Sequence, residues 1–501
     1  MNTSHISFLV LVLCLFLCCS QEESSAAERP TFQIQFDKEV YPANYFGRVY
    51  LFFSERQKEP RFGPNWFAPE PFISLEPNKL APGKALTIDL ADPDLRKFPK
   101  NFDELDLTGM RVQAVVRFNS FERNVGTGAG NGFSEPLEIG DQEMISLPIT
   151  SLVTKPKPTL DDRSTVVAIE SKLISEFLQA PFSLRATVTV PESYQDNPDQ
   201  RYPVIYEIPG FGGTHLDKRQ LQRHLAPSTN DLDVEFIKVM LDPSCPGGHH
   251  VFANSVNNGP YGDALVQELI PEIDRQFRTD AREQGRFLTG HSSGGWSSFW
   301  LQLQYPNFFG GTWSTSPDPL DFRDFQRINL YEPTDNMFVD AAGERRPLAR
   351  MNGKVLVWYD DFSHMEDVLG DGGQLRSFEF VFSPRGKDGH PQQIWIRQTG
   401  EINTEVAEYW KAYDVNLFLQ QNWKNLEPQL RGKLHLYMGD QDNFYLEGAT
   451  MLVKESLNSL NSDAEVTILP GKDHMNLFHD GLHQEIEQDI AQKYVDRSKN
   501  R

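Results

Sequence analysis

Over the first 150 residues the apolar positions recur with a period of two. Phe32, Ile34 and Phe36 alternate with polar neighbours, and so do Leu86, Ile88 and Leu90. Met110, Val112, Ala114, Val116 and Phe118 carry the pattern further. Such alternation marks strands with one buried face. Pro-, Gly- and Asn-rich breaks separate the runs, and no comparable amphipathic helix intervenes. Residues 28–150 therefore predict a small all-β sandwich domain. Residues 150–162, with Pro156 and Pro158, read as a linker. Beyond it the period changes. Short apolar runs at 204–206, 236–241, 286–289, 434–438 and 466–469 read as strands buried on both faces. Between them lie helical patterns. Leu265, Leu269, Ile273 and Phe277 recur every fourth residue, as do Leu482, Ile486 and Ile490. Strand–helix alternation predicts a mostly parallel sheet covered by helices, hence an α/β catalytic domain over residues 160–501. The interval 317–432 holds more chain than one crossover needs and is rich in aromatics, including Phe322, Trp358, Phe378 and Trp410. An insertion at that edge of a parallel sheet predicts a lid or a binding wall.

Composition narrows the picture. The 501 residues suit two domains and a leader, and 35 Phe with 8 Trp supply bulky core filler. A formal charge of −22 without a long basic run argues against nucleic acid as a partner. Residues 8–19 form an unbroken apolar run, short for a bilayer span and followed by Ser20, Ser24, Ser25, Ala26 and Ala27. This predicts a signal peptide over residues 1–27, a secreted or periplasmic product, and no stable membrane insertion after cleavage. Cys18 and Cys19 raise a lipoprotein anchor as the alternative, although neither follows a small residue. Cys14, Cys18 and Cys19 lie in the leader, so the mature chain keeps Cys245 and forms no internal disulfide. Cys245 precedes His249 and His250 without metal-ligand spacing and reads as a loop or core thiol. No metal and no organic cofactor is expected.

The strongest chemical signal is Gly290-His291-Ser292-Ser293-Gly294-Gly295, between an apolar strand and a helical stretch at 296–304. That context predicts a nucleophile elbow, with Ser292 on a strained turn and small residues where side chains would clash. Attack on a carbonyl creates an oxyanion that needs fixed donors. The Ser293 amide is one candidate. The loop Pro209-Gly210-Phe211-Gly212-Gly213-Thr214 follows a strand and offers the second, assigned to the Phe211 amide, with Gly210 or Gly212 as neighbours. A serine hydroxyl also needs a base. His474 follows the last strand and precedes the last helix, with His479 and His483 as competitors. The orienting carboxylate is expected in Gly439-Asp440-Gln441-Asp442, with Asp442 preferred to Asp440. The chain order Ser292, Asp442, His474 is that of α/β-hydrolases.

Together these residues make the chain resemble the Putative esterase family of α/β-hydrolases, which includes esterase D, enterochelin esterases and family 1-like carbohydrate esterases of the feruloyl and acetyl-xylan kind. The resemblance covers residues 164–495. It rests on Tyr202-Pro203-Val204-Ile205-Tyr206, the 210–213 loop, the segment NSVNNGPYGDA at 254–264, the elbow, residues 439–442 and His474. Two departures stand out: Pro209-Gly210 replaces the usual His-Gly, and the insertion from Pro317 is longer than in compact members. The resemblance implies a serine carboxylic-ester hydrolase that works through an acyl-enzyme on an acylated carbohydrate or similar bulky ester. It also implies that residues 254–264 pack beside the active site. Acyl transfer or peptide hydrolysis by the same triad, and a non-catalytic binding protein on a hydrolase fold, are the alternatives. The acyl group, the alcohol and the oligomeric state stay open.

Overall fold

The computed structural model describes residues 29–155 and 158–499. The expected signal peptide, with Cys18 and Cys19, lies outside the described residues, as does Pro156. Nine strands precede residue 155: β1 (Thr31–Phe36), β2 (Val49–Ser54), β3 (Phe72–Leu75), β4 (Leu86–Ile88), β5 (Arg96–Phe98), β6 (Arg111–Val116), β7 (Gly132–Ser134), β8 (Leu137–Glu138) and β9 (Met144–Leu152). Eight of them pair in the order β4-β1-β9-β7-β6-β2-β3-β5, and β8 adds to β6. The sheet curls strongly. β1 and β2 lie four strand spacings apart, about 19 Å in a flat sheet, yet the rings of Phe32 and Phe53 meet edge to face at 5.7 Å. The enclosed core takes Phe32, Ile34, Leu51, Phe53, Val112 and Leu147. β2 is buried on both faces. Its alternate residues Tyr50 and Phe52 enter a second core, shared with the 317–432 insertion.

After residue 158 comes the α/β sheet: β10 (Ser164–Glu170), β11 (Ser183–Thr189), β12 (Val204–Ile208), β13 (Ile237–Leu241), β14 (Arg286–His291), β15 (Gly311–Thr315), β16 (Leu434–Gly439) and β17 (Glu465–Leu469). Their order is β10-β11-β13-β12-β14-β15-β16-β17. β11 runs antiparallel to both neighbours, and the strands from β13 to β17 run parallel. The run at 466–469 is not buried on both faces, because β17 is the edge strand and leaves Glu465 and Thr467 exposed. The helical pattern at 264–277 splits into Tyr261–Ala264, a π turn over Leu265–Leu269, and Ile270–Gln276.

The insertion is a packed wall. A hairpin (Pro347–Met351 with Lys354–Trp358) leads into helices α2 (Tyr359–Leu369) and α3 (Gln374–Phe382), and α4 (Val415–Leu430) returns to β16. Before the insertion, α1 (Ser293–Gln304) follows the elbow, and after β17 comes α5 (Leu482–Lys499). Trp296, Phe299 and Trp300 of α1 share one core with Phe362, Phe378 and Leu419 of the insertion and with Tyr50, Phe52 and Phe72 of the N-terminal sheet. A helix leaves its last carbonyls without intrahelical donors. At the end of α2 the N-terminal sheet supplies them. Ser74 Oγ donates to Val368 O (2.6 Å), Tyr50 Oη to Leu369 O (2.7 Å), and the Arg48 guanidinium to Asp367 O and Val368 O. The two regions are thus joined by hydrogen bonds, that of Ser74 buried, as well as by apolar packing.

Candidate active site

The elbow is set by contacts that exclude side chains. A Cβ on Gly290 would collide with the Gly294 carbonyl, and one on Gly294 with the carbonyl of Ile208 at the end of β12. Ser292 therefore turns between β14 and α1 with φ 60° and ψ −125°, a conformation held by its surroundings. Its amide donates to Thr315 O (3.1 Å), and its carbonyl accepts from Trp296 N (3.0 Å). As first residue of α1, Ser293 keeps an amide without an intrahelical acceptor. The loop after β12 is a β-turn closed by Gly213 N–H to Gly210 O (3.0 Å), with Gly212 at φ 94°. That closure leaves the amides of Phe211 and Gly212 unused by the turn. The turn is anchored from behind by His249, whose Nε2 donates to Pro209 O (3.0 Å) while Nδ1 accepts from the Val251 amide (3.1 Å). Burial pushes the His249 pKa down to about 4, which keeps the ring neutral, as this pattern requires.

On the other side of Ser292, the loops after β16 and β17 bring Asp442 and His474 together. Asp442 Oδ2 lies 2.8 Å from His474 Nδ1, and the two residues are 0% and 5% exposed. A carboxylate only accepts, so Nδ1 carries the proton and Nε2 is left to act as a base. The second Asp442 oxygen accepts from the Phe444 amide (2.8 Å). Asp440 is used differently, since its carboxylate accepts from Gly471 N–H (2.7 Å) and fixes the loop that carries His474. His483 stacks on Phe478 (3.9 Å) within the next helix, and His479 sits in a short 3-10 turn. Burial works to lower the His474 pKa, but the charge of Asp442 and the hydrogen bond to it outweigh that effect. Asp318 and Asp473 add to the rise, and the net direction is upward. Ser292 and His474 line one cavity of about 1090 Å³. No hydrogen bond joins these two described side chains in this structure; such contacts often tighten only around a substrate.

Two further residues reach the same cavity without having been expected. Asp318, just after β15, accepts from Ser293 Oγ (2.5 Å), and its amide donates to Ser292 O (3.3 Å). Gln374, the first residue of α3, donates to Ser293 Oγ (3.3 Å) and to Asp318 (3.4 Å). Burial raises the Asp318 pKa to about 6 against the lowering by Ser293 and by the His474 charge, with Asp442 raising it further. A carboxylate shortly after the strand beside the nucleophile strand was the available signal for Asp318. The segment 254–264 contributes no side chain to the cavity. Instead Asn254 Oδ1 accepts from the Asp263 amide (3.1 Å), and Tyr305 Oη donates to Asp263 (2.8 Å), which fixes the start of the following helix. Cys245 is buried, and burial pushes its thiol up to about 12. Among the described residues no group of three or more His, Cys, Asp or Glu is placed to hold a metal, and no helix is long and apolar enough to cross a membrane.

Strand order, elbow and cavity define an α/β-hydrolase. The family description "Putative esterase" matches residues 182–485, well over half of the chain. The chain belongs to that family, and it is an esterase, a hydrolase of carboxylic esters. Solved structures similar to it include a ferulic acid esterase, at 14% identity over 66% of this chain and 99% of the other, with a TM-score of 0.41. An S-formylglutathione hydrolase from Agrobacterium tumefaciens is also 14% identical, over 66% and 95%, at a TM-score of 0.37. The fluorophosphonate-binding serine hydrolase FphF of Staphylococcus aureus is 14% identical over 66% and 98%, at 0.38. No curated protein matches the chain.

Proposed function

We propose that Ser292, His474 and Asp442 form the catalytic triad of an exported esterase acting on acylated carbohydrates or similar bulky esters. His474 Nε2 takes the proton from Ser292 Oγ as the hydroxyl attacks the acyl carbon. The amides of Phe211 and Ser293 hold the resulting oxyanion, where fixed donors are worth most. The same imidazole, held as a cation by Asp442, then protonates the departing alcohol. A water activated by His474 releases the acid and restores Ser292. The observation that carries this reading is the buried 2.8 Å pair of Asp442 and His474, which shares a cavity with the strained Ser292. The N-terminal region is read as a β-sandwich accessory domain, supported by the Phe32–Phe53 contact across its curled sheet. Export rests on the apolar leader at residues 8–19. Turnover of acetylated xylan fragments and of fluorogenic acetates by wild type and Ser292→Ala tests the proposal. Serine-dependent release of acetate is expected, and equal rates for the two proteins would end it.

A further inference from the structure

The cavity around Ser292 is not built by the α/β region alone. Trp66 and Phe67 line it too, and they come from the N-terminal region, on the loop that leads into β3. That loop is tied to its own sheet. Asn65 Oδ1 accepts from the Phe67 amide (2.9 Å), Arg56 donates to Ala68 O (3.1 Å), and Ser54 Oγ donates to Glu70 (2.7 Å). Its aromatic tip reaches the α/β region and the insertion. The Trp66 ring stacks on Phe211 of the oxyanion turn, with centroids 5.3 Å apart and planes at 26°, and meets Phe362 of α2 edge to face at 5.2 Å. Phe67 is 42% exposed and lies 6.4 Å from Phe444, whose ring stands at 89° to His474 at 5.0 Å. A line of rings therefore runs from the N-terminal loop to both halves of the reaction centre.

Leu348, Leu375 and Phe378 from the insertion extend this wall, and the rest of the lining is mixed, with the carboxylates of Asp318 and Glu207 and the cations Arg223 and Lys238. Aromatic faces attract flat or ring-shaped apolar surface. Building on the triad reading, we propose that Trp66, with Phe67, is a specificity-determining residue that holds a ring-bearing part of the ester against the oxyanion turn. The N-terminal region then selects the substrate of a centre whose reacting groups all lie elsewhere.

The test compares three esters in a pH-stat: ethyl acetate, benzyl acetate with its ring on the alcohol, and ethyl benzoate with its ring on the acyl group. Trp66→Ala should lower kcat/KM for one or both ring-bearing esters about tenfold relative to its effect on ethyl acetate, mainly through KM. Trp66→Phe should restore most of the loss. Phe46→Ala, at an N-terminal ring that is 68% exposed and outside the cavity, should change nothing. Equal losses on all three esters, or no loss on any, would overturn the inference. A companion titration in the Ser292→Ala background measures binding of 4-methylumbelliferyl acetate by calorimetry, and Trp66→Ala should weaken it about tenfold. Absence of Ser292-dependent turnover in the wild type would defeat the triad reading alone. Unchanged binding in the companion titration would defeat this one.

Discussion

The reaction centre and the wall that faces it are built on opposite plans. Around Ser292 the backbone itself is the device. Gly290 and Gly294 meet carbonyls with no room for a methyl group, and every expected reacting group sits at the end of a parallel strand. The wall is made of side chains brought from three separate stretches of chain: Trp66 and Phe67, the insertion from Leu348 to Phe378, and Phe444 after β16. A centre of the first kind tolerates almost no substitution. A wall of the second kind tolerates many, and each changes what fits. The contrast explains how one hydrolase scaffold keeps its chemistry while its cleft is remodelled by added segments.

The contrast breaks most sharply at Gly294. Gly294→Ala places a methyl group against the Ile208 carbonyl, where neither backbone can yield. A loss of about 3 kcal/mol or more is expected, read as a thermal unfolding shift that no wall substitution should match. At fixed stability, Asp442→Asn should lower kcat by about 10⁴-fold by releasing the His474 tautomer. Asp440→Asn, which only loosens the Gly471 amide, should cost less than about tenfold. A reversed order in steady-state kinetics would move the triad acid to Asp440.

Acidity separates the two buried groups His474 and Asp318. His474 must be neutral to act as a base, and its pKa lies above the ordinary histidine value, so kcat/KM should fall as the pH drops through that raised value. Stability runs the other way. The His474 contribution is complete below the unfolded pKa of about 6.5 and is lost as the pH rises through the folded value. Asp318 also has a raised pKa, about 6, so its proton stabilises the fold below the unfolded value and the benefit disappears as the pH rises through 6. Asp318→Asn should therefore raise stability by about 1–3 kcal/mol at pH 8 and little at pH 4. It should also move the acidic limb of kcat/KM to lower pH, because one charge that favours the imidazolium is gone. A limb that stays in place would remove Asp318 from the electrostatics of the site.

The smallest effect belongs to the joint between the regions. Ser74→Ala removes a buried donor to Val368 O at the end of α2 and should cost about 1 kcal/mol in urea unfolding. Hydrolysis of ethyl acetate should be unchanged.

What could be read from the sequence follows the same division. The elbow, the oxyanion turn and the loops of Asp442 and His474 announce themselves because each is a local turn after a buried strand, with residue types that few other contexts demand. β1 and β4 were legible from alternation because one face of each carries the apolar stripe, and β6 because the polar Arg111 and Gln113 interrupt its run although Val112 to Val116 are all buried. β2 escaped that reading because Val49 to Phe53 are buried on both faces, one against the home core and one against the insertion. β17 misled in the other direction, since apolar residues on an edge strand look like those of a central one. Trp66 and Gln374 had no local pattern at all, and Asp318 had only its place shortly after a strand. Each matters through a partner far along the chain, so tertiary packing alone brings them to the cavity.

The central claim is tested most directly by labelling the intact protein with a fluorophosphonate and mapping the adduct by mass spectrometry. The account predicts a single covalent adduct on Ser292, lost in Ser292→Ala and formed at least about 10³-fold more slowly in His474→Ala. An adduct on another residue, or labelling of Ser292 at an unchanged rate without His474, would contradict it.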